Sequence, residues 1–153
     1  MQLSNEIEIK EIIYGSDEYE LSLDFRNEIF RKPQGLNIRD DDLEYEKNAM
    51  MFGAWLNKEL IGTIFLQDYK EDTARIRSVA VKKSFRNIGL GKKLMQFIEA
   101  LALQNGYKKI YLTARQSVCE FYIKLGYKVI GNIFLYKKVP HVEMEKKYDV
   151  TKN

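Results

Sequence analysis

Apolar residues along several segments of the chain recur at the spacing of β-strands. Residues 7–14 alternate apolar and polar side chains, as a half-buried strand does. Asn57-Lys58 falls between two β-rich runs, a spacing typical of a β-hairpin. Residues 73–81 form a further predicted strand, in which Arg75 and Arg77 occupy alternate positions. We therefore expect one face of that strand to be exposed.

Helical spacing predicts three helices. The first begins at Ser16 or Asp17 and ends before Pro33, because a proline pushes the preceding residue out of the helical region. The second ends at Asn105-Gly106, where the glycine can adopt a left-handed conformation. The third is short, covers residues 117–125 and ends at Gly126. The apolar stripe of the second helix consists of Leu90, Leu94, Phe97, Ile98 and Leu101.

The order of these elements predicts the fold class. Residues 34–48 are polar and acidic and are expected to form a loop, with one short helix at most. Residues 109–114, 127–130 and 141–148 are the remaining predicted strands. The strand–helix–strand crossover near Val81–Ala114 is expected to be parallel and right-handed. The sequence therefore predicts an α/β fold with one mixed central sheet, mostly antiparallel, flanked by helices.

Composition narrows the class of protein. A length of 153 residues suggests a single domain over residues 1–153. The formal net charge of +3, from 25 basic and 22 acidic side chains, is too balanced to indicate nucleic-acid binding. Cys119 is the single cysteine, and no segment is typical of a signal peptide or a membrane span. We expect a cytoplasmic protein with no membrane partner and no metal cofactor.

The stretch SFRNIGLGKK, residues 84–93, places glycines and cations at the start of the second helix. Glycines let a backbone approach a ligand closely, and the first turn of a helix leaves N–H donors unpaired. Together with the helix dipole, these features suit a phosphate group. The spacing matches neither the nucleotide-binding phosphate loop nor the dinucleotide fingerprint. A plain turn with a solvated basic edge is the alternative for this stretch alone.

Two motifs in register resemble the GNAT superfamily of acetyltransferases. The first, VAV at residues 79–81 followed by RNIGLGKK, is similar to the acetyl-CoA-binding motif of that family. The second, ARQSVCEFYIKLGY at residues 114–127, is similar to the family's AR-x-N-A-x-x-F-Y-x-K-L-G-F, although Ser117 replaces the asparagine. The resemblance implies a GNAT-like fold and contacts with acetyl-CoA from Val79, Ala80, Val81, Arg86, Asn87, Ile88, Gly89, Leu90, Gly91, Lys92, Ser117, Phe121, Tyr122 and Lys124.

The same resemblance implies direct transfer of the acetyl group, without a covalent acyl-enzyme. Tyr122 matches the tyrosine that acts as general acid in many relatives, and aromatic packing on a short helix is the alternative. A general base is harder to assign, because the 76–81 strand carries no acidic residue. His141, the single histidine, is one candidate, although it is also compatible with a structural role. Asp68 and Glu46 are lesser candidates.

Three function classes follow from these residues. The first is an N-acetyltransferase that acts on a primary amine of a small molecule or a protein. The second is a non-catalytic domain that binds acyl-CoA and regulates another activity, which the change to Ser117 keeps open. The third, a nucleic-acid binder, is disfavoured by the balanced charge. The acidic run of residues 39–46 is either solvated surface or a region whose negative charge attracts a cationic amine to the site. The acceptor is not defined, and a homodimer is left open.

Overall fold

The computed structural model describes residues 6–148, and these form one seven-stranded mixed sheet with helices packed on both faces. The helices are α1 (Asp17–Phe30), α2 (Leu90–Gln104) and α3 (Cys119–Lys124). The strands are β1 (Ile7–Ile12), β2 (Met50–Leu56), β3 (Glu59–Lys70), β4 (Thr73–Val81), β5 (Lys109–Arg115), β6 (Lys128–Tyr136) and β7 (Val139–Lys147).

The strand order in the sheet is β1-β2-β3-β4-β5-β7-β6. Only β4 and β5 pair in parallel, and the connection between them contains α2. The other neighbouring strands are antiparallel. The predicted α/β class, with a mostly antiparallel mixed sheet and one parallel β-α-β crossover, is confirmed.

Helices α1 and α2 form for the reasons that their sequences indicate. The Ser16 hydroxyl accepts a hydrogen bond of 3.1 Å from the Tyr19 backbone N–H, which caps α1. The predicted apolar stripe of α2 faces the sheet, and Leu90, Leu94 and Ile98 are fully buried. Gly106 follows α2 with a φ of +86°, the left-handed conformation expected at a helix end.

Two apolar clusters lie on opposite faces of the sheet. The larger cluster packs α2 and Tyr122 of α3 against alternate residues of the central strands, among them Ile76 and Leu112. The smaller cluster packs Tyr19 and Leu23 of α1 against Phe65 of β3. The sheet therefore has an α2/α3 face and an α1 face, and alternate residues of each strand point to one or the other.

Two local predictions need correction. Strand β6 continues to Tyr136 rather than ending at Ile130, and a tight turn at Lys137-Lys138 joins it to β7. Both lysines have a positive φ, a conformation usually signalled by asparagine or glycine, so this hairpin lacks the usual sequence signal. Helix α3 begins at Cys119, after a 3-10 turn at residues 116–118.

The acidic segment is also more ordered than a loop. Three 3-10 helices, Lys32–Gln34, Ile38–Asp40 and Glu44–Asn48, shape the path from α1 to β2.

Within residues 6–148, no helix is long and apolar enough to cross a bilayer.

Candidate functional site

The parallel strands β4 and β5 pair only at their beginnings and then separate. Their register ends at the pair Arg75 and Tyr111, whereas β4 continues to Val81 and β5 to Arg115. The gap opens into a cleft of about 900 Å³ that reaches both faces of the sheet. Along residues 76–81, the edge of β4 that faces the cleft has no strand partner, so its backbone polar groups are available to a ligand.

A β-bulge at Ser78 shapes this open edge. The pairing of β3 with β4 shifts between Thr63 and Phe65, and Ser78 has a φ of +56°. A left-handed conformation is unusual for serine and increases the local bend of the strand. The Thr63 hydroxyl donates a 2.8 Å hydrogen bond to the Ser78 carbonyl, which holds the bulge in place. The bulge therefore directs the following residues, Val79 to Val81, along the cleft.

The start of α2 closes one end of the cleft. Gly89 precedes the helix with a φ of +96°, and no side chain caps the helix there. Asn87 also has a positive φ of +65°. The Arg86 Nε donates a 2.9 Å hydrogen bond to the Val81 carbonyl and thereby ties the turn to the end of β4. Uncapped backbone N–H groups and the cations Arg86 and Lys92 thus face the same space.

The structure brings most of the predicted cofactor residues to this cleft. Its lining includes Val79, Val81, Arg86, Asn87, Gly89, Gly91, Lys92, Phe121 and Tyr122. Five predicted residues do not line it. Ala80 and Leu90 are buried, and Ile88 packs against the larger core cluster. Ser117 and Lys124 are exposed on and beside α3.

Contact between α2 and α3 shapes the α2/α3 side of the cleft. A Cβ at position 91 would lie only 3.2 Å from Phe121 Cζ, so glycine permits the observed approach of the two helices. Phe121 in turn meets Tyr122 edge to face, with ring centroids 5.0 Å apart. The glycine therefore shapes the wall of the cleft in addition to the turn before α2.

Tyr122 is the most buried titratable side chain of the cleft wall. Only 8% of its surface is exposed, and desolvation by burial raises the pKa of its hydroxyl well above the usual value near 10. Tyr127 packs edge to face against it, with ring centroids 6.1 Å apart. The hydroxyl is consequently protonated throughout the neutral pH range, so it can donate a proton or a hydrogen bond there but cannot act as a base.

His141 lies on the opposite wall, paired with Arg115 across β5 and β7. Its Nδ1 is 2.8 Å from the Val139 carbonyl oxygen, and its ring lies between Phe134 and Tyr136. If Nδ1 donates to that carbonyl, the tautomer leaves Nε2 as a proton acceptor. The structure therefore places the histidine in the cleft and gives it a defined orientation.

The lesser base candidates lie outside the cleft lining. Glu46 is 0% exposed and forms a bidentate ion pair with Arg26, with N–O distances of 2.7 and 3.1 Å. Tyr19 donates a further 2.5 Å hydrogen bond to the same carboxylate. Asp68 is on the exposed end of β3 and accepts a 2.9 Å hydrogen bond from the Tyr107 hydroxyl. Neither carboxylate faces the reacting space.

Sequence reasoning missed the arginines of the α1 face. Arg75 and Arg77 were expected on an exposed face, but both are only partly exposed and line the cleft. Arg115 joins them from β5. The alternation of charged and apolar residues in TARIRSVAV was the available signal, but it could not show that the neighbouring strand separates at this point.

Comparison with known proteins identifies the family. The model of the acetyltransferase (GNAT) family matches residues 17–127, well over half of the chain. This chain belongs to the GNAT family of acetyltransferases. GNAT acetyltransferases use acetyl-CoA, so the reaction class is acetyl transfer from that donor. The predicted family, fold and acetyl-CoA co-substrate are confirmed, and the individual site residues stay predictions. Among the described residues, no group of three His, Cys, Asp or Glu side chains could hold a metal ion.

Individual relatives agree with this assignment. A candidate acetyltransferase of Bacillus subtilis is 26% identical over 131 residues, which is 84% of this chain and 88% of that protein. The crystal structure of a candidate N-acetyltransferase from Lactobacillus plantarum has a TM-score of 0.82 at 21% identity, over 94% of this chain and 99% of that one. A GNAT acetyltransferase from Elizabethkingia anophelis, with acetyl-CoA bound, has a TM-score of 0.69 at 18% identity, over 94% and 99% of the two chains. At these identities the two structures show the shared fold.

Proposed function

We propose that this acetyltransferase moves the acetyl group directly from acetyl-CoA to a primary amine within the cleft between β4 and β5. The observation that carries the proposal is the open edge of β4. It leads from the uncapped start of α2, beside Val81, to the bulge at Ser78 inside the cleft. A site for an anion and a site for an extended acyl arm are therefore continuous.

The donor would be held in two places. The pyrophosphate of acetyl-CoA would accept hydrogen bonds from the backbone N–H groups of residues 87–92, with Arg86 and Lys92 supplying full charges. The acyl arm would lie along the unpaired edge of β4 from Val81 to Val79 and pair with it as an added strand does. A backbone N–H near the bulge would then polarise the thioester carbonyl.

The chemical step needs a neutral amine. An amine with a pKa near 10.4 is neutral in roughly one molecule in 2,500 at pH 7, so a proton acceptor accelerates the reaction. The amine nitrogen attacks the carbonyl carbon, the new C–N bond forms, and the C–S bond breaks. The proton of the amine leaves to a base or to water. We propose His141 as that base, supported by its place in the cleft and its oriented ring.

Tyr122 would act on the departing sulfur. Because burial raises the pKa of this tyrosine above that of an ordinary thiol, about 8.5, full proton transfer to the thiolate is uphill. The hydroxyl would therefore stabilise the sulfur mainly by a hydrogen bond, and solvent would complete the protonation. The ionisation of Tyr122 is therefore not expected to affect the pH–rate profile below pH 10.

The test measures CoA thiol release from acetyl-CoA with an amine acceptor, together with acetyl-CoA binding by calorimetry. Tyr122→Phe should lower kcat at least tenfold and leave acetyl-CoA binding nearly unchanged, because only the hydroxyl is removed. His141→Asn should lower kcat if the imidazole is the base, because the proton acceptor is removed. A Tyr122→Phe enzyme with an unchanged kcat would remove the hydroxyl from the mechanism.

The alternative of a non-catalytic acyl-CoA-binding domain is not favoured by the family assignment. It predicts acetyl-CoA binding without CoA release for any amine. Thermal stabilisation by acetyl-CoA combined with no thiol release over a broad amine panel would support that alternative and contradict the proposed enzyme.

Further features of the protein are proposals of the same kind. A cytoplasmic location is supported by Cys119, a half-buried free thiol of a type that persists in reducing compartments. A single domain over residues 1–153 is supported by the continuous sheet of the described part. A homodimer is left open by exposed apolar residues on the edge strand β6, notably Ile133 and Leu135.

A further inference from the structure

Arginine side chains on the α1 face of the sheet give the cleft a second cationic region, apart from the start of α2. Arg75 and Arg77 alternate along β4 with Ala74 and Ile76, which belong to the cluster beneath α2. The two arginines therefore project to the opposite face. Arg115 shares that face, because its Nη2 lies 3.5 Å from the carbonyl oxygen of Phe30 at the end of α1.

Arg75 lies at the point where β4 and β5 separate. Its guanidinium lies over the rings of Tyr69 and Tyr111, at 5.8 and 5.3 Å from their centroids. Its Nη2 is 3.4 Å from the Thr113 hydroxyl, whereas its Nε is buried without a hydrogen-bond partner among the described residues. Burial lowers the pKa of Arg75, and the neighbouring charge of Arg77 lowers it further. Two partly buried cations thus lie side by side.

The other two arginines are also held by neutral groups. Arg77 Nε donates a 2.7 Å hydrogen bond to the Gln67 side-chain oxygen, and its guanidinium lies 4.2 Å from the Tyr45 ring centroid. Arg115 contacts the Phe30 carbonyl oxygen. Within residues 6–148, no ion pair joins Arg75, Arg77 or Arg115 to a carboxylate.

The acidic run of residues 39–46 does not compensate these charges. Asp41 pairs with Arg31 and Lys137 at the rim of the cleft, with N–O distances of 2.8 and 3.5 Å. Glu46 is committed to Arg26 in the interior. No Asp or Glu of the described chain lines the cleft. The geometry therefore does not support attraction of a cationic amine by this acidic run.

We propose that the acceptor is a primary amine that also carries an anionic group, a carboxylate or a phosphate, bound by Arg75, Arg77 and Arg115. This inference rests on the proposed function, because it concerns the acceptor half of the same cleft. Guanidinium groups bind carboxylate and phosphate oxygens with paired, directional hydrogen bonds. Tyrosine rings and neutral amides hold these guanidinium groups in position without neutralising them. The anion of the acceptor supplies the missing negative charge.

The donor does not use these arginines. Its phosphates are placed at the start of α2, and Arg86 is tied there to the end of β4 through Val81. From Arg75 to Val81 the strand advances about 20 Å, at roughly 3.3 Å per residue. Arg75 and Arg77 therefore lie well before the end of β4, away from the start of α2. Arg115, at the end of β5, is separated from the start of α2 by facing α1 on the opposite side of the sheet.

Matched acceptor pairs test the proposal with the wild-type enzyme. O-phosphoethanolamine is compared with ethanolamine, and β-alanine with its amide, while 1,4-diaminobutane represents cationic amines. CoA thiol release gives kcat/KM for each. We expect kcat/KM to be at least tenfold higher for the anionic member of a pair, mainly through a lower KM. The better of the two anions distinguishes a phosphate-bearing from a carboxylate-bearing acceptor.

Variants connect any preference to the arginines. Arg77→Gln and Arg115→Gln should each lower kcat/KM for the anionic amine at least tenfold and change that for the neutral partner less than threefold. The KM for acetyl-CoA, measured with the neutral amine, should stay within twofold of the wild-type value. Such a KM would show that the variants fold. Arg39→Gln is the matched control, because Arg39 is an exposed arginine of the 3-10 helix Ile38–Asp40 and pairs with Glu20 and Asp24 of α1 outside the cleft.

Each outcome distinguishes this proposal from the proposed function. Turnover of neutral or cationic amines as fast as anionic ones overturns the anion site and leaves the acetyltransferase standing. Absence of CoA release with every amine contradicts the proposed function instead. In that case calorimetric titration of the CoA-loaded protein with O-phosphoethanolamine and ethanolamine tests whether the arginines form an anion site. Equal or absent binding of the two overturns it, and preferential binding that Arg77→Gln removes supports it.

Discussion

The buried ion pair of Arg26 and Glu46 makes the sharpest prediction about stability. The two side chains are 1% and 0% exposed, and Glu46 accepts hydrogen bonds from Nη1 and Nη2 of Arg26 and from the Tyr19 hydroxyl. Removal of one partner from a buried pair leaves an uncompensated charge in the interior, at a cost of about 3–5 kcal/mol. Glu46→Gln keeps the volume and one acceptor oxygen. We therefore expect the low end, about 3 kcal/mol.

Chemical and thermal unfolding measure this cost. For a chain of this length, about 3 kcal/mol corresponds to a fall in Tm of roughly 6–12 °C. Asp24→Asn is the control, because it breaks an ion pair with Arg39 in which the side chains are 71% and 44% exposed. An exposed pair contributes about 1 kcal/mol at most. The double variant Arg26→Met/Glu46→Gln should lose less than the sum of the two single losses.

The result that would refute this reasoning is a loss in Glu46→Gln no larger than in Asp24→Asn. It would mean that Arg26 does not need the carboxylate, and hence that the pair is not desolvated in solution. An additive double variant would likewise show that the two side chains do not interact. Arg26 Nη1 also lies 3.3 Å from the Ser78 hydroxyl, so the same variants report on the support beneath the β4 bulge.

Two further predictions concern the core and the alkaline limit of stability. Leu94→Ala should destabilise the protein by about 2–5 kcal/mol in urea unfolding, because Leu94 is fully buried. Leu103→Ala on the same helix, at 38% exposure, should cost about 1 kcal/mol or less, and similar losses would contradict the packing described here. Burial is the main cause that raises the pKa of Tyr45 to about 12, above its unfolded value near 10. Its stabilising contribution is complete below pH 10 and is lost as the pH rises from 10 to 12, by about 1.4 kcal/mol per pH unit. Urea unfolding at pH 9, 10 and 11 should show a shallower decline in Tyr45→Phe, and identical slopes in the two proteins would refute the assignment.

Local patterns predicted most of the elements correctly. The alternation in residues 73–81 and the apolar stripe of α2 depend on neighbours in the sequence, so their periods are visible there. The extension of β6 to Tyr136 was missed because the turn that ends this strand depends on a distant partner and not on neighbouring residues. Lys137 and Lys138 adopt left-handed conformations that usually require asparagine or glycine, and the pairing with β7 imposes that turn.

The residues of the candidate site likewise fall into those that short motifs reveal and those that depend on distant partners. The glycine-rich turn and the Phe121-Tyr122 pair could be recognised because they are short motifs in register. Glu46, a carboxylate in the acidic run, was a lesser candidate for the base. Its burial depends on Arg26, 20 residues earlier, and no local pattern reveals that partner.

The amino-acid sequence by itself determined the family and the order of the elements, and it predicted a phosphate-binding turn before α2. These features follow from short-range spacing and from the conformational freedom of glycine. Only the tertiary structure decided that β4 and β5 separate after Arg75 and that Arg75, Arg77 and Arg115 share one wall of the cleft. The physical reason is that the contacts of these arginines join residues far apart in the sequence, 38 positions for Arg75 with Thr113 and 85 for Arg115 with Phe30. The proposed binding of an anionic acceptor by these arginines depends on the opening of the sheet.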